Sequence, residues 1–90
     1  FIRTTSKTKI SVTNNPFKDM IALQYNISKD ELLSISLFNV SGALLKKVQY
    51  KATAGSGAYT LYGVGNNATG IYFLRVEAGE YRQSFKLFKN

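Results

Sequence analysis

Residues 70–90, "GIYFLRVEAGEYRQSFKLFKN", decide the fold. Tyr72, Leu74 and Val76 alternate with Ile71, Phe73 and Arg75, and after "AGE" the chain returns with Phe85 and Leu87 on one face. Apolar residues at period two mark a strand with one buried face, and a short Gly-containing break between two such runs predicts a β-hairpin. Chain ends are usually frayed, so a terminus patterned this way is either the last piece of a core or a surface meant to be read.

Working back from the hairpin, the same alternation recurs. "MIALQYNI" at 20–27 sets Ile21, Leu23, Tyr25 and Ile27 on one face, and "LLSISLFNV" at 32–40 does so with Leu33, Ile35 and Leu37. "KISVT" at 9–13 offers Ile10 and Val12, and "NNPF" then breaks that strand because Pro16 has no N–H to give a ladder. "NVSG" at 39–42 is a turn leading into "ALLKKVQY", where Leu44, Lys46, Val48 and Tyr50 share a face and the lysines suit a guarded sheet edge. "KATAGSG" reads as a loop, "AYTLY" at 58–62 as a short strand, and "GVGNNATG" as a second loop. The pattern predicts an all-β fold, an antiparallel immunoglobulin-like β-sandwich of about seven short strands over residues 9–90. Residues 1–8 are polar and basic and read as a linker from something larger.

Composition narrows the function. The chain has 90 residues, six Tyr and six Phe, no Cys and no His. Disulfides, thiolate nucleophiles, the common zinc sites and the usual proton shuttle near neutral pH are thereby excluded, and no catalytic, metal or cofactor residue is assigned. Glu77 and Glu80 flank the last turn, but a hairpin tip in water lacks the burial that separates two carboxylate pKa values. The Asn triplets at 26, 39 and 67 match the glycosylation pattern by chance composition, and the loops hold too few carboxylates for calcium. No apolar run approaches the about 18 residues a membrane helix needs, so no membrane insertion is expected. The net charge of +7 favours anionic partners. Arg75, Arg82, Lys86 and Lys89 lie near Phe73, Tyr81 and Phe88, a mix that can bind single strands; without an RNA-binding fingerprint they read as a solvated face, not a nucleic-acid site.

Taken in order, "NPFKDMIALQYNI", "LSISLFNVSGALLKK" and the terminal "GIYFLRVEAGEYRQSFKLFKN" resemble the type A C-terminal sorting domain of proteins secreted by the type IX system of Bacteroidetes, over residues 10–90. Asn39 stands where that family often has Asp, and "GVGNNAT" replaces its usual apolar approach to Gly70. The resemblance implies a domain carried on a cargo protein in the same chain, directing it through the periplasm and across the outer membrane to the cell surface or medium. Its implied partners are an outer-membrane shuttle or translocon and a sortase-like cysteine peptidase, with cleavage in or before residues 1–8. Gly70 and Tyr72 match the family's G-x-Y element and Gly79 its last turn. Lys86, Leu87, Phe88 and Lys89 match its closing K-L-x-K, and the exposed edge and basic rim of the last strand are the expected docking site. The alternative is an immunoglobulin- or fibronectin-like spacer or glycan-adhesion module, separable by its position in the parent protein.

Overall fold

The computed structural model describes residues 8–90. All but Thr8 of the expected 1–8 linker therefore lies outside the described residues. Seven strands follow in order: β1 (Lys9–Val12), β2 (Ile21–Ile27), β3 (Glu31–Asn39), β4 (Leu44–Ala52), β5 (Gly55–Leu61), β6 (Gly70–Ala78) and β7 (Tyr81–Lys89). They form two antiparallel sheets, β1-β2-β5 and β4-β3-β6-β7. This is the immunoglobulin-like arrangement with its fourth strand moved onto the larger sheet.

The core lies between the sheets and is built from the alternating positions. Ile21, Leu23, Tyr25 and Ile27 of β2 face Leu33, Ile35 and Leu37 of β3 and Tyr72, Leu74 and Val76 of β6, all buried. Val64 of the β5–β6 loop is also fully buried, anchoring a segment rich in turn formers.

Two local readings are corrected. β4 does not place Leu44 beside Lys46, Val48 and Tyr50, because a β-bulge shifts the register between Leu37 and Phe38. Leu37 pairs with Lys46 but Phe38 pairs with Leu44, so Leu44 joins Phe38 on the outer face, 53% exposed. β5 begins at Gly55, three residues before the expected "AYTLY", and pairs along its whole length with β2. One of its early glycines is needed for contact: Gly57 lies opposite Tyr25, and a Cβ there would come within 2.8 Å of Tyr25 Cε1.

Candidate docking surface

The β6–β7 hairpin turns through Gly79 and Glu80, with Ala78 paired to Tyr81. Gly79 has φ 61° and, among the described residues, no non-glycine residue has positive φ, the pattern of a two-residue II′ turn whose twist matches the flanking strands. Alternation then sorts β7. Leu87 and Lys89 point inward and are 2% and 5% exposed, while Arg82, Ser84, Lys86 and Phe88 face outward.

This sorting divides the residues singled out from the sequence. Lys86 and Phe88 are displayed on the outer face, Gly79 is exposed at the hairpin tip, and Gly70 is half-buried at the start of β6, opposite Lys89. Tyr72 and Leu87 are a register pair inside the core. Lys89 does not belong to the basic rim expected of it: it shares the face of Leu87, and its Nζ donates to the Asn90 carbonyl at 3.3 Å.

The edge of β7 is also only half open. Asn15 Oδ1 accepts from Phe88 N–H at 2.9 Å, and Asn15 Nδ2 donates to the Lys86 carbonyl at 3.3 Å. Phe17 N–H donates to the Phe88 carbonyl and Asn90 N–H to the Phe17 carbonyl, both at 2.9 Å, making a short parallel bridge to Lys89. A strand added at residues 86–90 would have to displace this loop. Groups of one residue point to the same side of a strand and alternate along it, so the outward groups nearer the turn belong to Arg82 and Ser84. Among the described residues these carry no partner.

The "NNPF" loop is thus more than a strand break. Asn14 ties it to β2, accepting from Ala22 N–H and donating to the Met20 carbonyl at 2.8 Å each, while Asn15 ties it to β7. Phe17 is 1% exposed and meets Tyr72 edge to face at 5.9 Å. Tyr72 in turn donates its phenol to the Ala68 carbonyl. At the β3–β4 turn, Asn39 Oδ1 accepts from Ser41 N–H, Ser41 O–H and Ala43 N–H, so the carboxamide supplies the acceptor that a family Asp would. The three sequence elements that sit far apart in the chain, N-P-F, G-x-Y and K-L-x-K, converge on one end of the sandwich. No sequence signal pointed to the hydrogen bonds of Asn15 and Phe17 with residues 86–90, since they join residues more than 70 positions apart.

Across the turn end of the hairpin, Glu77 pairs with Arg82 at 2.9 Å and approaches Arg75 at 4.0 Å. Further along, the Arg75 guanidinium lies 5.0 Å from the centre of the Phe38 ring. No group of His, Cys, Asp and Glu suited to a metal ion occurs among the described residues. What the described residues offer is a patterned surface of exposed charged and aromatic side chains.

The chain belongs to the family of secretion-system C-terminal sorting domains, whose model matches residues 11–90. It is a C-terminal type IX secretion sorting signal, marking its protein for export to the cell surface or for secretion, and its family is not an enzyme family. No curated protein matches the chain. Among solved structures it resembles a beta-glucosidase from Listeria innocua in complex with glucose, with 12% identity and a TM-score of 0.57. That match covers 100% of this chain and 17% of the other, and it shows the fold alone.

Proposed function

We propose that the domain is a folded, non-catalytic address read in the periplasm by an outer-membrane shuttle or translocon through its terminal hairpin. Lys86 and Phe88 are the contact residues and Gly79 shapes the tip. Gly70, Tyr72, Leu87 and Lys89 serve recognition by holding the hairpin in place. The observation that carries this reading is the sorting of β7: two residues of the closing K-L-x-K are displayed while the other two are buried and the strand is locked from behind by Asn15 and Phe17. After translocation, a sortase-like cysteine peptidase cuts in or before residues 1–8 and the cargo is anchored at the surface.

The test is a fusion of the chain to a reporter in a bacterium with a type IX system. The wild-type fusion reaches the surface, and Lys86→Ala with Phe88→Ala retains the reporter in the periplasm while melting like the wild type. Undiminished export of that double variant contradicts the assignment of the contact residues.

A further inference from the structure

The outer faces of the two sheets differ in chemistry. On the three-stranded sheet, Lys9, Ser11, Gln24, Asn26 and Ser56 present the polar surface expected where a sheet meets water. On the four-stranded sheet, Phe73 and Phe88 are 37% and 47% exposed, with Phe38 and Ile71 half-buried beside them. An apolar patch rimmed by charge marks an interaction surface.

The register sets the patch out in rows. Phe38, Phe73 and Lys86 lie side by side on β3, β6 and β7, and the next row is Lys47, Ser36, Arg75 and Ser84. Strands are about 4.8 Å apart, so each row crosses the sheet within about 10–15 Å. Phe38, Phe73, Arg75, Ser84 and the Asn39–Gly42 turn line a groove of about 340 Å3. The turn is held by Asn39, and Arg75 is held over Phe38, so walls and cation are set before anything binds. Lys47, Lys51, Arg75, Arg82 and Lys86 occupy outward positions against the single carboxylate of Glu77.

We propose that this face docks a protein segment in which apolar side chains alternate with Asp or Glu, the apolar groups seating on Phe38 and Phe73 and the carboxylates on Arg75 and Lys86. The proposal rests on the sorting-signal reading and supplies the surface and the partner's chemistry. Glu77 decides against a nucleic acid. Bonded to Arg82 and close to Arg75, it interrupts the cations, so a continuous run of phosphates would meet a like charge that discrete carboxylates avoid.

The experiment is an NMR titration of the 90-residue chain with a synthetic peptide alternating Glu and Leu. The matched Gln–Leu peptide, an oligothymidylate and phosphatidylglycerol vesicles are run in parallel. The Glu peptide shifts the amides of Phe38, Phe73, Arg75 and Lys86 and spares those of Ser11, Gln24 and Ser56. Arg75→Glu with Lys86→Glu weakens it on the order of tenfold or more, as truncating interface hot spots does. Equal binding of the Gln peptide, shifts on the other sheet, preference for oligothymidylate or vesicles, or closure of the face on a second copy in gel filtration each overturns the proposal. In the reporter fusion, normal export of a folded Arg75→Glu, Lys86→Glu variant also overturns it, together with the contact role given to Lys86, and leaves the sorting role of the domain standing. Failure of the wild-type fusion to be exported refutes the sorting reading itself.

Discussion

Asn15 and Phe88 stand 73 positions apart, and the Phe88 N–H donates to the Asn15 carboxamide at 2.9 Å. One side chain thus completes the edge of the last strand from a loop near the start of the domain. Asn15→Ala leaves the Phe88 N–H and the Lys86 carbonyl to water, since the contact is exposed. The expected cost is about 1 kcal/mol, read as a lower urea midpoint at unchanged slope. Asn15→Asp keeps the acceptor and should lose less.

Neighbouring positions of β7 should respond oppositely. Leu87 is 2% exposed, so Leu87→Ala is expected to cost about 2–5 kcal/mol, a large share of the ~5–15 kcal/mol that holds a small domain together. Lys86→Ala, on the outer face, should change stability by less than about 0.5 kcal/mol. Thermal melts of the two variants separate loss of fold from loss of recognition when export fails.

Gly57 is required by space, not by its backbone angle. A methyl group there meets the Tyr25 ring, which is 7% exposed and hemmed in by Tyr50 at 6.2 Å. Gly57→Ala should cost about 1–3 kcal/mol, as overpacking does. Adding Tyr25→Leu should recover part of that loss, and a double-mutant cycle measures how much.

The same tyrosine sets an alkaline limit. A hydrogen bond with Tyr50, then burial, then charge on Tyr50 push the Tyr25 phenol above its ordinary value of 10.0. With the folded-state value raised, the unfolded chain gives up the proton first. The contribution to stability is therefore whole below pH 10.0 and is lost as the pH rises through the folded value. Urea midpoints taken across that range should fall more steeply with pH for the wild type than for Tyr25→Phe.

Much of this was legible in the residues. Strict alternation in β2, β3 and β6 assigned Ile21, Leu33, Leu74 and their partners to the core, because a one-residue slip would turn every side chain outward. Alternation fails where the register breaks, as the bulge at Leu37/Phe38 moved Leu44 to the other face. It also carries no information on neighbours, so neither the Asn15 latch nor the row joining Phe38, Phe73 and Lys86 could be read before the strands were paired. Lys89 was misplaced by reading charge before face. Its position two residues after Leu87 already put it inside, with its aliphatic stem able to pack there.

The central claim is that the terminal strand is locked along its last residues and displays its outer face from a rigid support. Amide hydrogen exchange of β7 tests it most directly. The outward N–H groups of Phe88 and Asn90 should be protected like those bonded to β6, whereas Arg82 and Ser84 exchange freely, and Asn15→Ala should release Phe88. Free exchange of Phe88 in the wild type, or protection running evenly from Arg82 to Asn90, contradicts the account.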